Sequence, residues 1–442
     1  MKKESVMTTP IFDFVKQYSD SGATRFHMPG HKGCGEIGCE PFDITEISGA
    51  DVLYSAEGII EESENNLTAL YGTAHSFYST EGSTLAIKAM LALVSERKGD
   101  EKPLVLAARN VHSSFVRGAA LLDLDVDFIY PEKKEHICSC DITENDVRCA
   151  VEKAEKQPCA VYVTSPDYLG NMLDIRSISA VCKEYGIPLL VDNAHGAYLK
   201  FLPKDMHPIS LGAAMCADSA HKTLPVLTGG AYLHISTDFK EYLNRARAAL
   251  SLFASTSPSY LTLSSLDLCN RRLSEGYSQK IAELSKKAED IKAKIASLGI
   301  EICPSEPFKI VIKQGEKLAN HLRKFGIEPE FADPDYTVLM LTPENSDGDF
   351  EKLLSALTCC KAEAKKQNIP SVTPHERVLS IRSATLAKNS LVSIEEAKGR
   401  ICASPTLSCP PAVPIVISGE RITADDIELF SYYGINRVRV VD

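Results

Sequence analysis

A chain of 442 residues is too long for one small core and suits two or three domains. Its 44% hydrophobic and 24% charged content is that of a globular protein, and a formal net charge of −11 argues against a broad nucleic-acid-binding face. No apolar run reaches membrane-spanning length, the start MKKESVMTTPIFDF lacks a signal-like apolar core, and 14 scattered cysteines read as reduced thiols in a cytoplasmic protein.

In chain order, the first chemistry-bearing cluster is His27, His31, Cys34 and Cys39. Its spacing matches neither paired CxxC nor HExxH and glycines interrupt it, so no metal is expected there. Cys138 with Cys140, and Cys359 with Cys360, read as ordinary thiols. From residue 66 to 235 helical spacing alternates with short apolar runs. Gly82 to Val94 is predicted helical. Strands are predicted at Leu104 to Ala108, Val126 to Tyr130, Ala160 to Thr164, Pro188 to Asp192 and Gly230 to Ile235. Continuous apolar runs such as IPLLVD suit strands covered on both faces, and their alternation with helices predicts a mostly parallel sheet.

Past residue 270, Ser274 to Leu298 reads as one long charged helix stopped by Gly299. Strands follow at Ile300 to Cys303, Phe308 to Lys313 and Tyr336 to Leu341, and a helix at Lys352 to Lys366. Gln367 to Pro374 reads as a linker. The tail from Ser393 holds a short helix, the proline-rich CPPAVP at Cys409 to Pro414, and a last strand at Arg437 to Val441.

Lys222, in SAHK, sits among small, apolar and hydroxyl residues with only Asp218 as a nearby carboxylate. A lone lysine is usually a solvated charge, but a desolvated amine loses its proton more readily and attacks aldehydes. Thirty residues earlier, Asp192 closes a strongly apolar strand, where a side chain faces the ligand crevice of a parallel sheet. It reads either as a helix N-cap or as the partner of a pyridinium nitrogen. Paired with Lys222, it points to pyridoxal 5′-phosphate. Gly82, Ser83 and Thr84 open a helix whose N–H groups and dipole attract phosphate. Ser219, three residues before the lysine, offers another hydroxyl. His112 follows a strand, where an imidazole can lie flat on a pyridine ring.

HMPGHKG at His27, EGST at Glu81, NVHSS at Asn110, VTSPDYLG at Val163, VDNAHG at Val191, DSAHKTLP at Asp218 and STSPSY at Ser255 occur in register. Together with SIEEAKGRI at Ser393 and CPPAVPIVISGE at Cys409, this set resembles the Orn/Lys/Arg decarboxylases over residues 25 to 425. The resemblance implies an α/β chain of PLP fold type I, aspartate aminotransferase-like. Its mostly parallel sheet would be sandwiched by helices, with smaller α+β C-terminal domains. It implies an N-terminal segment 1–24, a cofactor-binding major domain 25–270, a small α+β domain 271–366 and a family C-terminal domain 367–442.

By position, the resemblance makes Lys222 the Schiff-base lysine, Asp192 the partner of the ring nitrogen and His112 the stacking histidine. Gly82, Ser83, Thr84 and Ser219 bind phosphate. His221 lies beside them as a candidate acid, Ala194 packs on the other ring face, and Thr164 and His195 border the cofactor. Family dimers build each site at the subunit interface, so Thr228 and the STSPSY loop are expected to serve the neighbouring subunit. The implied reaction is decarboxylation of arginine, lysine or ornithine, feeding polyamine metabolism in the cytoplasm, with no nucleic-acid or membrane partner. The short start implies a form without the N-terminal domain of the large decameric members.

Four positions depart from the family pattern. They are Asn193 for a frequent glutamate, Ser113 for a lysine, Asp167 for a threonine, and Glu81 before Gly82. Asp167 is expected to face a cationic substrate side chain, and Glu81 to point away from the phosphate. An aminotransferase or lyase on the same scaffold would need an arginine for the α-carboxylate, with Arg382 the candidate. A non-catalytic regulatory protein would be expected to lose Lys222 or Asp192, and both are present.

Overall fold

The computed structural model describes residues 6–96, 101–132, 136–360, 372–404 and 411–442. Its largest sheet has seven strands: β1 (His75–Ser79), β2 (Leu104–Ala108), β3 (Asp125–Ile129), β4 (Ala160–Thr164), β5 (Leu189–Asp192), β6 (Met215–Asp218) and β7 (Ala231–Ile235). Their order is β1-β7-β6-β5-β4-β2-β3. The pairs β2–β3, β2–β4 and β5–β6 run parallel, and β7 is antiparallel to both β1 and β6. Strands β2, β5, β6 and β7 are buried along their whole length, which suits their mostly apolar, non-alternating sequences; Asp192, Asp218 and His234 are the buried polar exceptions.

The helices among these strands are α1 (Pro10–Asp20), α2 (Ile59–Tyr71), α3 (Gly82–Val94), α4 (Ser113–Leu122), α5 (Glu144–Lys153), α6 (Ile175–Glu184), α7 (Ala220–Thr223), α8 (Leu243–Ser251) and α9 (Tyr260–Arg272). Helix α3 is apolar nearly all round and deeply buried, with Leu85, Ala86, Ile87, Ala89, Met90 and Leu91 inside. The long helix expected from Ser274 has a different start. A π-helical turn spans Leu273–Tyr277, Gly276 takes φ +94°, and regular α10 runs Ser278–Ser297.

A four-stranded sheet follows, β8 (Ile302–Cys303), β9 (Lys309–Ile312), β10 (Phe331–Ala332) and β11 (Thr337–Met340), all pairs antiparallel. Helices α11 (Glu316–Lys324) and α12 (Asp347–Thr358) accompany it. Helix α12 begins before the expected Lys352 because Ser346 and Asp349 form a reciprocal capping box; its expected end, residues 361–366, lies outside the described residues. So do residues 367–371 of the expected linker, and Cys409 and Pro410 of CPPAVP. Near the C-terminus β12 (Asn389–Ser393) pairs with β13 (Arg437–Val441).

Two compact units emerge, each made of two chain segments. The first comprises Met1–Val94 with Leu190–Ala282, the second Ser95–Leu189 with Glu283–Asp442. Among the described residues no helix is long and apolar enough to cross a membrane, and no disulfide joins the cysteines.

Candidate active site

Most of the expected site residues lie in the first unit. Lys222 sits in the single turn α7, directly after β6, and Ser219 is that turn's N-cap. The Lys222 ammonium donates to His195 Nε2 at 3.2 Å. His195 is buried in the turn after β5, three residues beyond Asp192. Asp192 is 2% exposed at the carboxyl end of β5, and its Oδ1 accepts the Ala194 N–H at 3.2 Å. Asp192 is not a helix N-cap, since the next helical turn, Ala197–Phe201, is capped by Gly196; it ends a wholly buried strand and accepts a hydrogen bond within the turn that follows. Ala194 is buried beside it.

The phosphate-type residues converge in the same unit. The Ser219 hydroxyl donates to Ser83 Oγ at 2.8 Å, joining the end of β6 to the first turn of α3. Gly82 opens α3 with φ +70°, and its N–H donates to Gly229 O at 2.7 Å. Ser79 Oγ donates to Gly82 O and accepts the Glu81 N–H. Thr84 follows Ser83 within α3. The Glu81 carboxylate is engaged by the Ser255 N–H at 2.7 Å, in the STSPSY loop, so this acidic departure has a local partner.

The His221 backbone N–H donates to Gly230 O at 3.1 Å, and its ring Nδ1 lies 2.9 Å from the same carbonyl. The nearby Thr228 is exposed. His112 and Thr164 belong to the second unit. His112 is the N-cap of α4, its Nδ1 accepting the Ser114 N–H at 3.2 Å. Thr164 ends β4, and its buried Oγ1 has no hydrogen-bond partner.

Two sequence expectations are corrected. Asp167 does not present its carboxylate to a substrate. It is 3% exposed, and Asn171 donates its N–H to Oδ1 at 3.0 Å and its side-chain amide to Oδ2 at 2.8 Å. Burial raises its pKa, and the Asn171 contacts oppose that rise. The Lys309 ammonium donates to the Asp167 backbone carbonyl at 2.8 Å, and its charge also opposes that rise. Arg382 is not placed to bind a substrate carboxylate either. Its guanidinium donates to Ala120 O and Leu121 O at 3.3 and 2.9 Å, closing the C-terminal end of α4.

Two other departures have structural reasons. Ser113 is 2% exposed, where a lysine would have to bury its ammonium. Asn193 is fully buried and donates to Asp218 Oδ1 at 2.7 Å. A glutamate there would set two carboxylates together without water. Asp218 was the one carboxylate near Lys222 in sequence, yet it is held by His207 Nε2 at 3.0 Å and by Asn193. The sequence reading missed this Asp218 group. Its only signal was a Cys-x-Asp spacing on one strand.

The residues fit a pyridoxal phosphate by the chemistry of the donor set. The first unit offers an amine on a short turn, a buried carboxylate at a strand end, and paired hydroxyls at the start of a long helix.

Comparison with known proteins bears on this set. The Orn/Lys/Arg decarboxylase major-domain family model matches residues 9–314, and the C-terminal domain model of the same family matches 361–438. An uncharacterized protein of Bacillus subtilis (strain 168) is 29% identical, covering 96% of this chain and 94% of its own length. An arginine decarboxylase of the same organism is 29% identical, covering 95% and 92%. Among solved structures, the lysine decarboxylase of Francisella novicida superposes with a TM-score of 0.83 at 17% identity, over 99% of this chain and 81% of that one. The serine palmitoyltransferase of Sphingomonas wittichii reaches 0.57 at 16% identity, over 80% and 83%. At these identities the likeness shows a shared fold.

Proposed function

Because the chain belongs to the Orn/Lys/Arg decarboxylase family, we propose that it decarboxylates a basic amino acid, with arginine ahead of lysine and ornithine, and feeds polyamine metabolism. It is an enzyme of PLP fold type I, and pyridoxal 5′-phosphate is its cofactor. Curated relatives named arginine decarboxylase, 27–29% identical along nearly the whole chain, support the order of substrates.

The carrying observation is the Lys222–His195 contact beside buried Asp192, with Ser83 and Ser219 meeting at the head of α3. When bound, the cofactor supplies an electron sink for the pair left as the Cα–carboxylate bond breaks. In this reading Lys222 holds the cofactor through its amine, and His195 orients that amine by accepting its hydrogen bond. Asp192 keeps the proton on the ring nitrogen, and burial in an apolar strand strengthens that pairing. Ser83, Thr84 and Ser219 bind the phosphate at the head of α3, where Gly82 turns the chain into the helix. His112 and Ala194 are assigned to the two ring faces, and Thr164 Oγ1 to the cofactor's edge. His221, its ring beside Gly230 O, and Lys222 are the candidates to deliver a proton to Cα.

The site is completed, in this reading, at a homodimer interface that includes Thr228, in a cytoplasmic enzyme. Exposure of Phe26, Met28 and Ile37 near the HMPGHKG segment supports such an interface. The domain limits 1–24, 25–270, 271–366 and 367–442 are part of the proposal.

Purified protein is incubated with arginine, lysine and ornithine in turn, and CO2 and amine are measured. Equal amounts of CO2 and amine are expected, fastest with arginine. Lys222→Ala should lose the visible cofactor band and about a thousand-fold or more in rate. Formation of a keto acid without CO2, or an unchanged Lys222→Ala enzyme, would overturn the assignment.

A further inference from the structure

A second group of chemistry-bearing side chains lies in the first unit, apart from the residues assigned above. Asp218 ends β6, and Cys216 precedes it by two residues on the same face of the strand. His234 stands opposite Cys216 in the antiparallel β6–β7 ladder. His207 enters from the loop before β6. All four side chains are fully buried.

Their donor atoms crowd one point. His207 Nε2 lies 3.0 Å from Asp218 Oδ2, and His234 Nε2 lies 3.4 Å from the same oxygen. Cys216 Sγ lies 3.5 Å from Asp218 Oδ1 and 3.7 Å from His207 Nε2. One donor atom from each of the four lies within 4.8 Å of all the others. Around a tetrahedral zinc ion, bonds of about 2.0–2.3 Å set neighbouring donors roughly 3.2–3.8 Å apart. The spacings of the two imidazoles to Asp218 Oδ2 and of Cys216 Sγ to His207 Nε2 are close to those edges.

The surroundings match a ligand set as well. Ser76 Oγ contacts His234 Nδ1 at 2.7 Å and is itself tied to Thr73 Oγ1 at 2.7 Å, which fixes the imidazole and leaves Nε2 facing the cluster. His234 Nε2 is buried, with Asp218 Oδ2 in front of it at 3.4 Å. Asn193 orients Asp218 through Oδ1 at 2.7 Å. A dication with one thiolate, one carboxylate and two neutral imidazoles is electroneutral, which suits a site sealed from water.

We propose that His207, Cys216, Asp218 and His234 hold a divalent transition-metal ion of the zinc class in a closed, four-coordinate structural site. Binding displaces the Cys216 thiol proton to solvent and forms the metal–sulfur bond with no redox change. Four protein ligands leave no open position for substrate, so the ion would brace the end of β6, from which Ser219 and Lys222 follow. This assignment stands independently of the decarboxylase reading.

Elemental analysis of the purified full-length protein should find about one zinc per chain. After chelation, cobalt(II) should give ligand-field bands together with a thiolate-to-cobalt band in the near ultraviolet. Cys216→Ser should lose the thiolate band and bind zinc more weakly, while Cys182→Ser, altering a buried thiol of the second unit, should keep both. Wild-type protein that carries no stoichiometric metal and gives no cobalt spectrum would overturn the site, leaving a hydrogen-bonded cluster only. A cobalt spectrum whose thiolate band survives Cys216→Ser would overturn it equally.

Discussion

Asp267 shows how a single buried carboxyl links distant parts of the chain. Helix α1 starts Thr9-Pro10, an ordinary-looking N-terminus, yet the Thr9 side chain makes no cap bond. Instead the Ile11 and Phe12 N–H groups donate to Asp267 Oδ2 at 2.9 and 3.0 Å, and the Ser63 hydroxyl donates to Oδ1 at 2.5 Å. Asp267 is thus a cap supplied by α9. Burial pushes its pKa up to about 6 from the usual 3.8, against the pull of those three donors. Below the ordinary value both folded and unfolded chains hold the proton. Between about pH 4 and 6 the unfolded chain releases it first, so stability falls as pH rises through that window. The fall should be about 3 kcal/mol. Urea midpoints of wild type and Asp267→Asn across pH 4 to 7 test this: the difference between them should change through the window and be flat above it. Parallel curves would show that Asp267 does not titrate there.

Legibility at this scale followed sequence distance. Lys222, Asp192 and the Gly82-Ser83-Thr84 turn could be put forward from sequence because each stands in a short motif whose neighbours set its environment. The partners of Asp218 were not, because His207 and His234 come from separate elements. Asp167 misled because a carboxylate in a loop reads as available until Asn171 is seen holding both oxygens.

Among the elements, the connection from β1 into α3 carries the tightest constraint on the phosphate-type turn. Gly229 has φ +94°, and a Cβ there would stand 2.6 Å from the Thr80 carbonyl oxygen. Its own carbonyl accepts the Gly82 N–H. Gly72, the C-cap of α2, also has positive φ, at +68°, but an added Cβ would meet nothing within 4 Å. Gly72→Ala should therefore cost about 1 kcal/mol, from backbone strain alone. Gly229→Ala should cost about 2–3 kcal/mol and also weaken cofactor binding, because the head of α3 must move. Denaturant midpoints and cofactor titration of both variants separate the effects; equal losses would place the constraint elsewhere. Element reading from sequence worked where strands were apolar throughout, as in β2 and β4. It missed β1, whose HSFYS is half polar at the sheet edge, and β6, whose MCAD is too short to show a period.

For the molecule as a whole, the C-terminal residues act as structure within the second unit. The Arg109 guanidinium, 4% exposed at the end of β2, donates to Pro414 O and Ile415 O at 3.0 and 2.7 Å. One apolar core joins Ile137, Leu169, Val311 and Val338 to Ile394, Ile415, Phe430 and Val440. A chain ending at residue 360 would strand a buried cation and bare the facing half of that core. Leaving the charge unpaired alone costs about 3–5 kcal/mol, a large share of the stability of an ordinary domain. The 1–360 fragment should therefore be insoluble, or lack a cooperative thermal transition, even with pyridoxal phosphate added. Size-exclusion chromatography and calorimetry of the fragment beside the full chain decide the matter. A monodisperse fragment melting at the full chain's temperature would mean that residues after 360 are an appendage. Failure would mean instead that their contacts with β2 and with the Ile137–Leu169 region are needed to complete the unit that carries His112.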